Sequence, residues 1–273
     1  MIPHPMARWI APATGRLVAH AEVLRSCARR RVVLLGESHD IAEIHRWQLH
    51  VACGLHLLEP DMAIGFEMFP RRLQPVLDRW VEGGMATEEF ICEAEWDRVW
   101  GFPAAIYLPL FHFCRQFGIR MLALNCRREL VRNVGRDGWD EWLPDIEDGV
   151  GRPAPATDAY RSYLAAITGG FGGFVPDRTH RFIQAQQTWD RAFADNIARA
   201  LGSYRLVIGI IGRGHLEYGH GTPYQLRDLG VTETAVLLPT EAPDFDTEAG
   251  RGIAEAVFRI ARPEPPAPRR AVG

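Results

Sequence analysis

The sequence contains no lysine: all 31 of its basic residues are arginine. That absence excludes a Schiff-base lysine, a pyridoxal phosphate anchor and a Walker-type phosphate lysine. Cysteine is sparse and lacks a framework pattern. The five cysteines, at positions 27, 53, 92, 114 and 126, are odd in number, widely spaced and without a Cys-x-x-Cys pair, which argues against a disulfide scaffold and a cysteine zinc knuckle. Positive charge is not in excess either. A net charge of −3 leaves no basic footprint for neutralising phosphates, so no nucleic-acid partner is expected. No run approaches the roughly 20 apolar residues of a membrane span, and the opening MIPHPMARWIAPATG lacks the apolar core of a secretory signal. A cytoplasmic protein is the default expectation.

What is present is enough apolar residue, 47% of 273, for a large buried core, and one α/β domain over 1–273 is expected. Short aliphatic runs at Val32–Leu35, Met62–Phe66, Arg120–Leu124, Leu206–Ile211 and Thr234–Leu238 read as buried strands. Between them, Ile41–Leu58, Leu73–Val81, Ala104–Phe117 and Thr179–Leu201 carry helical spacing. Strands alternating with helices predict a mainly parallel central sheet flanked by helices on both faces. Residues 135–178, dense in Gly, Pro and acid around one short helical piece, read as an excursion from the sheet, either a lid or a partner-binding surface. Within it GGFGGF, at 169–174, lacks the Gly-Lys-Ser/Thr of a phosphate loop and reads as a hinge. The Pro-rich tail from Arg262 is expected to be disordered.

In open parallel sheets ligands bind beyond the carboxyl ends of the strands. The segments following the strands are therefore informative. They supply Gly36-Glu37-Ser38-His39, Gly65-Phe66-Glu67, Asn125-Cys126-Arg127 and Gly212-Arg213-Gly214-His215. Each group alone has an ordinary explanation, since His39 could cap a helix and Glu37 could accept backbone N–H groups at a helix start. Together, two Gly-x-x-His motifs and two strand-end glutamates at one sheet edge exceed what independent capping requires. Two imidazoles with two carboxylates can hold a divalent metal, with His39, His215, Glu37 and Glu67 as ligands, or form a metal-free acid/base set. The glycine ahead of each histidine allows a sharp turn and close approach of a ligand.

Asp190 falls on the apolar stripe of its helix with Ile183, Phe193, Ala194 and Ile197, and a carboxylate there needs a partner. The partner is either an arginine such as Arg127 or one of the two motif histidines, which Asp190 would orient. His45, His50 and His56 are spaced by five and six residues, so they do not share a helix face for chelation and read as solvated or satisfied. His220 reads as a turn residue. Trp96 and Trp100 read as packing. Ser38 lacks the following glycine of a nucleophile elbow.

The stretches VVLLGESHDIAEIHRWQ, IGFEMFPRRLQPVLDRW, QAQQTWDRAFADNIARAL and VIGIIGRGHLEYGHGTPYQLRDLG, with the segment from Glu95 to Gly138, occur in an order that resembles the ChaN-like family, grouped with the erythromycin esterases and the Tiki and TraB proteins. The resemblance implies an α/β fold with its site at Glu37, His39, Glu67 and His215, and Asp190 nearby. For the ChaN-like branch it implies haem binding connected with iron acquisition, and for the wider group hydrolysis, metal-dependent or esterase-like. Many members are lipoproteins, whereas Cys27 has no lipobox. The shared motifs do not specify a haem ligand. Tyr160, Tyr163 and His180 offer tyrosinate or imidazole donors by their chemistry. The expected ligand is haem or another small molecule, the alternative cofactor a divalent metal, and a homodimer around the flat cofactor is the expected assembly.

Overall fold

The computed structural model describes residues 1–168 and 176–261, so the hinge expected at 169–174 and the tail from Arg262 lie outside the described residues. The strands are β1 (Ile2–Pro3), β2 (Trp9–Ala11), β3 (Arg16–Val18), β4 (Val32–Glu37), β5 (Met62–Pro70), β6 (Arg120–Asn125), β7 (Leu206–Gly212), β8 (Thr234–Thr240), β9 (Asp244–Phe245) and β10 (Ala256–Arg259). The α-helices are α1 (His20–Ala28), α2 (Ala42–Leu58), α3 (Gln74–Val81), α4 (Thr87–Glu93), α5 (Trp96–Val99), α6 (Leu108–Phe117), α7 (Arg128–Asp137), α8 (Asp158–Ile167), α9 (Pro176–Ala200) and α10 (Thr222–Asp228).

Eight strands form the main sheet in the order β3-β2-β10-β8-β4-β7-β5-β6, and β1 pairs with β9 apart from it. From β10 to β6 every pairing is parallel; at one edge β2 runs against the rest, pairing antiparallel with both β10 and β3. The apolar runs are continuous because both faces are covered. Along β4, Val33 and Leu35 join the core beneath α1, α2 and α6, whereas Val32 and Leu34 join Phe193, Ala194 and Ile197 of α9 on the other face. The expected strands and helices are present, and the fold is the mainly parallel α/β sheet with helices around it.

The differences have local causes. The expected helix from Ala104 begins as a 3-10 turn, Ala104–Ile106, and becomes α-helical at Leu108, where Pro109 sits in the first turn without needing a donor. It ends at Gly118, whose φ of 64° is the left-handed conformation a side chain disfavours. Strand β5 runs past Phe66 to Pro70 because a register shift against β6 between those residues lets the extended chain continue. Glu67 lies within that irregular stretch.

The described part of the excursion is fastened to α9 and α10 by polar contacts. Trp139 Nε1 donates to Gln184 O at 3.1 Å, Gly151 N to Asp195 Oδ2 at 2.7 Å, and Ala154 N to Gln225 Oε1 at 2.9 Å. Its helix, α8, opens on Thr157, whose hydroxyl accepts from the Tyr160 backbone N–H.

Candidate functional site

Adjacent parallel strands bring the two Gly-x-x-His motifs together. Strands β4 and β7 pair in register so that Glu37 lies opposite Gly212, and each motif leaves the sheet at the same level. Glu67 comes from β5, on the far side of β7.

Each histidine is held through Nδ1 by a buried carboxylate. His39 Nδ1 lies 2.8 Å from Glu37 Oε1, and His215 Nδ1 lies 2.9 Å from Asp190 Oδ1. With Nδ1 protonated and donating, Nε2 of each ring is left for chemistry. Of the two partners weighed for Asp190, the structure selects His215; Arg127 instead meets Asp145, Glu147 and Asp148.

The carboxylates are themselves fixed. Glu37 Oε1 accepts from Tyr107 OH at 3.0 Å, and Glu37 Oε2 accepts from Gln48 Nε2 at 3.1 Å. Tyr107 is fully buried, with Trp96 and Phe111 rings at 5.3 and 6.3 Å. Burial and the neighbouring Glu37 charge push its phenol upward, so it remains a donor. Asp190 Oδ2 accepts from Tyr160 OH at 2.6 Å, and Oδ1 accepts from Thr222 Oγ1 at 3.3 Å. Glu67 accepts the Gly212 backbone N–H.

The two glycines of the motifs serve packing in different ways. A Cβ on Gly36 would strike the Leu238 side chain at 2.3 Å, whereas a Cβ on Gly212 would sit 3.0 Å from His39 Cε1 and 3.3 Å from Glu67 Oε2. Gly212 thus allows His39 and Glu67 to close against the strand. Gly221 has a similar use, since a Cβ there would lie 2.5 Å from Asp190 Oδ1.

The site is electrostatically coupled. Burial disfavours the imidazolium of His215, but Asp190 and Glu67 outweigh it and raise the group to about 9. Burial likewise opposes the charge on His39, and Glu37 and Glu67 overcome it, raising that ring as well. Burial raises the Glu67 carboxyl despite the compensating pull of both histidines. The arrangement is two imidazole–carboxylate dyads with a third carboxyl coupled to both, a set of groups able to hold and exchange protons.

His39, Glu67 and His215 line a cavity of about 1150 Å³. Trp100, Phe102, Phe182 and Trp189 supply aromatic wall, and arginines from α7 and neighbouring segments ring the mouth. The His39 and Trp100 rings meet edge to face at 4.8 Å, so Trp100 is wall as well as packing.

Other expected residues fall elsewhere. Glu37 does not line the cavity, and its oxygens are occupied by His39, Gln48 and Tyr107, so it offers a metal no ready donor. Among the described residues no group of three or more His, Cys, Asp or Glu side chains is arranged to hold a metal ion. Tyr160 and Tyr163 do not line the cavity; their hydroxyls donate to Asp190 and to Glu217 Oε2, the latter at 2.9 Å. Burial raises both phenols, Tyr160 well above the ordinary range, which disfavours the tyrosinate a haem iron would need. His180 is exposed on α9 outside the cavity. The sequence reading missed Gln48 and Tyr107 as supports of the first dyad. Their signal was faint: Gln48 lies one helical turn past His45, and the two side chains bond at 3.0 Å.

The family described as haem-binding uptake, Tiki superfamily, ChaN matches residues 23–226. The chain belongs to this family. Among solved structures it is similar to ChaN of Campylobacter jejuni, described for cofacial haem binding, with a TM-score of 0.71 and 15% identity over 92% of this chain and 95% of that one. It is also similar in fold to the type III effector HopBA1, TM-score 0.50 and 13% identity over 88% and 91% of the two chains. An erythromycin esterase, EreC, gives TM-score 0.50 and 12% identity over 85% and 76%. No curated protein matches the sequence. Among the described residues no helix is long and apolar enough to cross a membrane.

Proposed function

We propose that this ChaN-family chain binds haem in the cavity beside His39 and His215 and handles it in haem or iron acquisition. The observation that carries the reading is the cavity: its volume exceeds the roughly 300–1,000 Å³ usual for small-molecule sites, and its walls are aromatic with a cationic mouth. Those walls suit an apolar macrocycle, the arginines suit its acid groups, and the imidazole Nε2 atoms not used in the dyads are iron donors by type once they release the proton that the neighbouring carboxylates favour. Bound haem would supply the iron chemistry; the chain's own part is to bury the ring, set its orientation and limit water. A cavity open on one side leaves room for a second copy to cover the ligand, so a homodimer belongs to the same reading. Titration with haemin should give a saturable, shifted Soret band, weakened in His39→Ala and His215→Ala, and sedimentation with and without haemin should report the dimer. A spectrum that is the sum of protein and free haemin rejects the reading.

The two dyads flanking Glu67 also support a second reading, a hydrolase that moves protons at the Nε2 atoms of His39 and His215. An ester and peptide screen tests it. Activity that survives both histidine substitutions sinks it.

A further inference from the structure

Seven arginines line the cavity of a chain whose net charge is −3, so basic charge is concentrated at this mouth against the overall balance. Most of it is already answered. Glu95 takes Arg72 and Arg98, Glu129 takes Arg132, Asp137 takes Arg136, and the turn at Asp145–Asp148 takes Arg127. Arg128 and Arg181 differ. Arg128 Nη2 donates to Val99 O at 2.8 Å and Arg181 Nη1 to Arg136 O at 2.7 Å, and among the described residues neither forms an ion pair. A neutral carbonyl positions a guanidinium without cancelling its charge, and each fork keeps donors to spare. The nearby Asp137 does not fill this role for Arg181, because both its oxygens are held by Arg136 and one also accepts Trp142 Nε1.

The anchors fix where these charges stand. Arg128 opens α7 and is tied to the Val99–Trp100 wall, whereas Arg181, on α9, is tied to the far end of α7 at Arg136. Eight residues of helix separate Arg128 from Arg136, about 12 Å at 1.5 Å per residue. With one guanidinium held at Val99 and the other at the far end of α7, the pair has separate anchors and suits two acid groups on one large ligand better than one small anion.

We propose that Arg128 and Arg181 are the residues that select a ligand with two carboxylates, receiving them at the cavity mouth while the apolar body lies inward toward His39 and His215. Resting on the haem reading, this assigns the two propionates to these arginines and sets the direction in which the ring enters.

The test compares haemin with its dimethyl ester, which keeps the iron and ring but removes both acid charges. The full-length protein should bind haemin about tenfold or more tighter than the ester at low salt. Arg128→Gln with Arg181→Gln should collapse that ratio toward one, whereas Arg16→Gln, outside the cavity and paired with Glu22, should not collapse it. Equal affinity of the unaltered protein for acid and ester overturns the assignment and leaves haem binding standing, as does a ratio that survives in the double variant. Absence of a saturable Soret change with either ligand overturns both.

Discussion

His215 Nδ1 and Asp190 Oδ1 stand 2.9 Å apart although the residues come from β7's exit loop and the middle of α9. The contact ties the reactive edge of the sheet to the helix that covers it. Because Asp190 is fully buried, replacing it removes the charge that keeps the His215 imidazolium.

Asp190→Asn should therefore lower the His215 pKa from about 9, which an NMR titration of the imidazole would detect. The sign for stability follows: the raised folded pKa stabilises the protein fully below the ordinary histidine value, and that contribution is lost as pH rises through the folded value. Breaking a buried pair typically costs roughly 3–5 kcal/mol, measurable by urea unfolding near neutrality. An unmoved His215 titration would contradict the coupling.

Tyr107→Phe keeps the ring packed against Trp96 and removes one hydrogen bond to a buried carboxylate. The expected loss is about 1.5–3 kcal/mol, the usual worth of a hydrogen bond to a charged group. Unfolding in denaturant checks it, and His39 should titrate differently in the variant because Glu37 has lost a donor.

Gly212→Ala should displace His39 or Glu67, since the added methyl would meet both. Overpacking of this kind costs about 1–3 kcal/mol. Ligand binding should suffer more than stability, which isothermal titration beside a thermal melt would separate.

Tyr163→Phe removes a bond to Glu217 away from the cavity. Any haem spectrum should be unchanged. Loss of a tyrosinate-type charge-transfer band in this variant would instead make Tyr163 the iron ligand.

The strand tips were legible in the sequence because Gly36-Glu37-Ser38-His39 and Gly212-Arg213-Gly214-His215 each follow an apolar run that only a covered parallel sheet accommodates. Asp190 was legible as a polar residue on an apolar stripe, but the choice between an arginine and a motif histidine as its partner stayed open, since periodicity along α9 says nothing of what crosses over it. Tyr107 escaped notice for the same reason. It looks like one more aromatic ahead of a helix, and its purpose is set by Glu37, seventy positions earlier. The arginine mouth was equally hidden, being drawn from separate segments of the chain.

The in-register pairing of Glu37 with Gly212 has a wider consequence. Neighbouring strands keep a separation of about 4.8 Å whatever side chains they carry, so the ladder itself sets the gauge between the two motif loops. The arginines and aromatic side chains that line the cavity sit on α5, α7, α9 and the segments beside them, outside that ladder. Backbone pairing thus sets the gap between the two motifs, whereas α9 both holds His215 through Asp190 and lines the cavity, so a change to that helix reaches the proton-bearing groups and the cavity wall together.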